Sequence, residues 1–168
     1  MRDITPSAIR ELAADIDMEL TRLGQLEDDI AKVNRTLEQN PGQAEWLYEN
    51  LALKLHNFYT GCEKVLQLIA TELNGGLPAG PDWHKRLLDR MATERQGRPA
   101  VLRMSTASAL REYLGFRHIV RNLYGFELQP ERVARLVDTY PQVWHDVAQD
   151  YGTFVTWLED LATTQEGG

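Results

Sequence analysis

Cysteine is almost missing from this chain. Cys62 stands alone, so no internal disulfide can form and no zinc site can be built on thiolates. Long apolar runs are missing as well. None approaches the ~18 residues that a membrane-crossing helix needs. The start, Met1-Arg2-Asp3-Ile4-Thr5-Pro6, lacks the apolar block of a secretory signal. A cytoplasmic location with no membrane partner is therefore expected. Positive charge is scarce: 18 lysines and arginines face 25 carboxylates, for a net charge of −7. A protein that coats nucleic acid normally shows a basic footprint, so any RNA handling here must use a local basic cleft. No phosphate-cradling glycine motif, zincin motif or nucleophile elbow is present, and neither a cofactor nor a metal is expected.

What is there is helical patterning. The 43% hydrophobic and 26% charged residues form an ordinary globular balance. The length suits one domain over residues 1–168, with a tail fraying from about 163. Apolar residues recur every three or four positions from Ile9 through Leu12, Ile16, Leu20, Leu23, Leu26, Ile30 and Val33 to Leu37, one stripe of a long helix. Thr5-Pro6 predicts its start and Asn40-Pro41-Gly42 its end. A second stripe runs from Leu47 to Leu73 and stops at Asn74-Gly75-Gly76. A short helix is expected around Trp83, Leu87, Leu88 and Met91, closed by Gly97-Arg98-Pro99. A fourth should begin at Ser105 or Thr106 as cap and run to about Tyr124. The last stripe, Val133 to Leu161, contains Pro141, which predicts a kink or a split into two helices. Strand-period alternation of useful length is absent. Long stripes with short connections predict an all-α, antiparallel up-and-down bundle of four to six helices. Stripes this long on a chain of this size also suggest a helical face shared with a second copy, hence a homodimer.

The densest group of chemically capable residues lies on the fourth helix. At ~100° per residue, Phe116, Ile119, Val120 and Leu123 fall on a core side. Arg111, Gly115, His118 and Asn122 share another side, while Arg117, Arg121 and Tyr124 share a third with Leu110 and Leu114. Residues 111–121 hold three arginines, one histidine and no lysine in an acidic chain. Arginine suits bidentate phosphate contact, and histidine suits proton transfer near neutral pH. Together they are the ingredients for cleaving RNA, where a base takes the 2′-hydroxyl proton and cations stabilise the phosphorane. The alternative is a solvated helix face. Gly115 in mid-helix costs about 1 kcal/mol against alanine and predicts a close neighbour. Elsewhere the readings are structural: His56-Asn57 as a packed or capping pair, Trp83 as a core anchor, His145 as surface, Glu27-Asp28-Asp29 as a solvated face and Cys62 as an inert buried thiol.

The stretch Arg117-His118-Ile119-Val120-Arg121-Asn122-Leu123-Tyr124 resembles the signature of HEPN domains, and specifically of the HepT-like ribonuclease toxins. That motif is an arginine followed by a polar residue, a histidine after four intervening residues and often a tyrosine two further on. The segment Leu55-His56-Asn57-Phe58-Tyr59-Thr60-Gly61 and the long first helix are similar to the same family, so the likeness covers roughly residues 4–161. The resemblance implies a helical homodimer whose motif helices share a cleft, and metal-independent RNA cleavage. It also implies a cognate nucleotidyltransferase antitoxin that adds AMP to the motif tyrosine, here Tyr124. Arg117 would be the motif arginine. Arg111 and Arg121 would bind RNA phosphate. Asn122 stands where the motif histidine is expected, and asparagine is no general base at pH 7. Either His118 takes over proton transfer, helped by a looser Arg111–His118 spacing, or the protein is a non-cleaving HEPN module that binds a nucleotide, RNA or a nucleotidyltransferase. A plain helical interaction protein, whose arginines only pair across an interface, is the third reading.

Overall fold

The computed structural model describes residues 3–121 and 128–167, with the backbone alone for 118–121. Within them the chain is all-α: α1 (Pro6–Gln39), α2 (Ala44–Asn74), α3 (Trp83–Met91), α4 (Met104–Arg121) and α5 (Pro130–Glu166). No strand occurs among the described residues, only an isolated bridge between Arg95 and Arg98.

Thr5 caps α1 as the sequence predicts, accepting a hydrogen bond from the Ala8 N–H at 3.3 Å. The helix ends at Asn40, and a 3₁₀ turn over Pro41–Gln43 reverses the chain into α2. Gly75, in the left-handed region at φ 76°, ends α2. The turn after α3 is built on Gln96 and Gly97, both at positive φ, with Arg95 and Arg98 bonded to each other across it.

The apolar stripes meet in one core. Ile9, Ile16 and Leu23 of α1, Leu51, Leu55, Phe58 and Ile69 of α2, and Val147, Tyr151 and Leu158 of α5 are all buried in it. Helix α1 runs antiparallel to both partners. Leu23 lies against Gly61, Arg10 pairs with Glu166 at 2.6 Å, and Trp144 donates to Glu27 at 2.9 Å. Helix α4 packs on α2 and α5, and α3 closes one end against α2 and α4. No helix among the described residues is long and apolar enough to cross a membrane.

Three boundaries differ from expectation. Helix α4 begins at Met104, so Ser105 and Thr106 are already inside it. The start is tied down by a distant group: Asp150 of α5 accepts from the Arg103 N–H at 2.9 Å and from its Nε at 2.6 Å. Pro141 lies inside an unbroken α5 rather than splitting it. Tyr140, Val143 and Val147 continue one buried stripe past the proline, and a break there would pull them from the core at more cost than the one backbone hydrogen bond that proline removes. The helix also runs on through Thr163 and Thr164 to Glu166, held there by Arg10.

Candidate functional site: a buried polar cluster around Arg117

Arg117 lies on the Leu110–Leu114 side of α4, and that side faces the core. The residue is only 9% exposed, so it is not part of a solvated helix face. What receives it is a polar cluster assembled from two other helices. Helix α2 supplies Tyr59, Glu63 and Gln67, four residues apart and so on one side of the helix. Helix α3 supplies Trp83 and His84 from its first turn.

Glu63 is the hub and is 4% exposed. The Tyr59 hydroxyl donates to its Oε2 at 2.7 Å, and Gln67 Nε2 donates to its Oε1 at 3.2 Å. His84 Nδ1 lies 2.6 Å from Oε2. Arg117 Nη1 approaches Oε1 at 3.9 Å. It also lies 2.8 Å from His84 Nε2 and 3.1 Å from Nδ1. The indole of Trp83 stacks on the imidazole with ring centroids 3.7 Å apart.

This arrangement answers the cost of burying a carboxylate, which needs both a countercharge and hydrogen bonds to its lone pairs. Burial, and secondarily the charge of Glu63, hold the Tyr59 hydroxyl far above its ordinary pKa, so it acts as a donor only. A carboxylate can only accept. The proton on the short Glu63–His84 contact is therefore assigned to Nδ1, which leaves Nε2 with its lone pair unprotonated, close to the Arg117 guanidinium. Arg117 Nε is buried and has no hydrogen-bond partner among the described residues. Chemically, the cluster offers a guanidinium with a spare donor next to an oriented imidazole.

The other predicted site residues fall differently. Arg111 is exposed and pairs with Asp89 of α3, away from the cluster. His118 and Arg121 follow on the same helix, with their side chains outside the described residues, as are Asn122 and Tyr124. Gly115 does have its close neighbour: an added Cβ would lie 3.3 Å from Arg132 Nη2 of α5, whose guanidinium also sits 5.9 Å from the Phe116 ring centre. His145 and the carboxylate run are exposed, His56 is half-buried and Asn57 exposed. Cys62 is fully buried and its thiol pKa is pushed up by burial. Trp83 is half-buried, packed against the core and against His84.

Sequence reasoning missed Glu63, His84 and Tyr59. A signal was present: Glu63 sits between Cys62 and Val65 on an otherwise apolar stripe, one turn from a tyrosine. That His84 would meet it from another helix was not readable from spacing.

A family model described as HepT-like protein matches residues 50–158, from the first turns of α2 to near the end of α5, and so spans every residue of the cluster. No curated protein and no solved structure matches the chain. With well over half of its length matched, the chain belongs to the HepT-like protein family.

Proposed function

We propose that this HepT-like protein is a metal-independent endoribonuclease toxin, acting in the cytoplasm as a homodimer and neutralised by a nucleotidyltransferase antitoxin. Arg117 holds the scissile phosphate. His118 takes part in proton transfer, Asn122 orients the substrate, and Arg121 and Arg111 extend phosphate contact along the RNA. AMP placed on Tyr124 would add bulk and negative charge beside these arginines and close the site to RNA.

The observation that carries this reading is the setting of Arg117. The motif arginine is buried in a built polar site, with a donor to spare and an imidazole 2.8 Å away. An arginine kept only for solubility or a surface ion pair would not be held at such a desolvation cost.

Incubating the purified protein with total tRNA and mRNA in EDTA tests the reading. Wild type is expected to cleave, and Arg117→Ala to lose on the order of a hundredfold in rate, as removal of a phosphate-stabilising donor does. His118→Ala is expected to lose turnover as well. The replacement of the expected motif histidine by Asn122 favours a second reading, a HEPN module that binds RNA, a nucleotide or a nucleotidyltransferase without turnover. RNA left intact by the wild type, with binding retained, would select that reading.

A further inference from the structure

We propose that His84 is the general base of this site, and that Glu63 is the positioning residue that fixes its tautomer. The inference rests on the ribonuclease reading and goes beyond the motif helix, because His84 comes from α3 and Glu63 from α2.

The site needs a proton acceptor at a position the motif leaves open, since Asn122 has no basic nitrogen. His84 has what that role requires. Its Nδ1 is committed to a buried carboxylate at 2.6 Å, which directs the proton to Nδ1 and keeps the Nε2 lone pair free to accept. Trp83 stacks on the ring at 3.7 Å and limits its rotation. The side chain is 14% exposed, against 5% for its carboxylate partner.

His84 also stands beside Arg117. The Nε2 atom lies 2.8 Å from Nη1 of the guanidinium assigned to the phosphate. In a ribonucleotide the 2′-oxygen lies about one hydrogen-bond length from the phosphorus it attacks. A group that receives the 2′-proton must therefore stand next to the group that holds the phosphate. A phosphodiester oxygen that accepts from Arg117 Nη1 stands beside His84, whose Nε2 lone pair is left for the 2′-hydroxyl. Among the described residues, the charged groups facing the imidazole from its packing partners are Glu63 on α2 and Arg117 on α4.

The step balances. His84 Nε2 takes the 2′-hydroxyl proton as the 2′-oxygen forms its bond to phosphorus. The bond from phosphorus to the 5′-oxygen breaks, and that oxygen takes a proton from a water molecule. The products are a 2′,3′-cyclic phosphate and a 5′-hydroxyl end. The hydroxide left behind takes the proton from His84, which restores the neutral imidazole, and no oxidant, reductant or metal is consumed.

The test is the pH dependence of kcat on RNA in EDTA, from about pH 5 to about pH 9 across the imidazole range, for wild type, His84→Gln, Glu63→Gln and His118→Ala. Affinity for a 2′-O-methyl RNA is measured alongside. His84→Gln should lower kcat by about 10²–10⁴-fold, the usual worth of a general base. It should abolish the acid-side fall in rate and bind the uncleavable RNA as wild type does. Free imidazole should restore part of the rate in His84→Gly. Glu63→Gln should lower kcat and leave affinity for the uncleavable RNA unchanged, because loss of the carboxylate frees the imidazole to take the other tautomer. An unchanged kcat would overturn the proposal even if His84→Gln failed to fold. If His84→Gln instead weakens RNA binding and keeps the acid-side fall, His84 only positions Arg117 and the proposal is wrong. A wild type that cuts RNA, with an equally active His84→Gln, removes this inference and leaves the ribonuclease reading intact. A wild type that cuts nothing removes both.

Discussion

Arg98 is as deeply buried as the leucines around it, at 1% exposure, yet its partners are neutral. Its Nε donates to Asn74 Oδ1 at 2.8 Å, Nη1 to the carbonyls of Thr93 and Pro99 at 3.2 and 2.8 Å, and Nη2 to that of Arg90 at 3.0 Å. Burial, and then the charge of Arg95, lower its pKa. The guanidinium thus ties the end of α2 to the α3–α4 connection, where it donates to the carbonyls of Arg90, Thr93 and Pro99. Arg98→Met, close in shape, should cost on the order of 3 kcal/mol, since several acceptors lose their donor at once. Urea unfolding would show it, and a loss under ~0.5 kcal/mol would mean that water replaces the guanidinium without penalty. Arg98 and Glu63 teach the same lesson. Each looks like an ordinary charged residue in the sequence and becomes structural only through partners from other elements.

Helix ends and faces follow from local chemistry more directly. Thr5, Asn40 and Gly75 mark real boundaries because caps and left-handed turns are settled by a few adjacent residues. The start of α4 was misread because its anchor, Asp150, lies 47 positions away in the chain. Two mid-helix glycines separate local preference from packing. A Cβ at Gly152 would meet nothing within 4 Å, whereas one at Gly61 would lie 2.7 Å from Leu23 Cδ2. Gly152→Ala should therefore raise stability by about 0.5–1 kcal/mol through helix propensity alone. At Gly61 the same gain is opposed by crowding worth about 1–3 kcal/mol, because Leu23 is itself buried in the α1–α2 seam. Thermal melts should place Gly61→Ala below Gly152→Ala. Equal melting temperatures would show that the two helices separate freely at that point.

For the molecule as a whole, four tyrosines, Tyr59, Tyr113, Tyr140 and Tyr151, are buried in one interior. Burial is the leading cause that raises each pKa above the usual 10.0, that of Tyr113 to about 12. Above pH 10 the unfolded chain releases these protons while the folded chain keeps them, so the unfolded state binds fewer and stability falls as pH rises. Each such tyrosine costs about 1.4 kcal/mol per pH unit between its two values. The tyrosines' contribution to stability is thus whole below pH 10 and should drop steeply between 10 and 12. Tyr113→Phe gives up a hydrogen bond to the Leu136 carbonyl, yet its alkaline fall should be shallower than that of wild type. Melting temperatures taken across that range would check this, and parallel curves would refute it.

By itself the sequence determined the helical class, most helix boundaries, the apolar stripes and the likeness to the HepT-like family, because periodicity, capping and motif spacing are properties of neighbours along the chain. Only the tertiary structure decided that Arg117 turns inward, that Glu63 and His84 meet it there, and that Pro141 does not break α5. Those outcomes depend on which elements pack together. A buried charge persists only where distant residues supply its partners, and a strained helix persists only where the core on either side of the strain holds it.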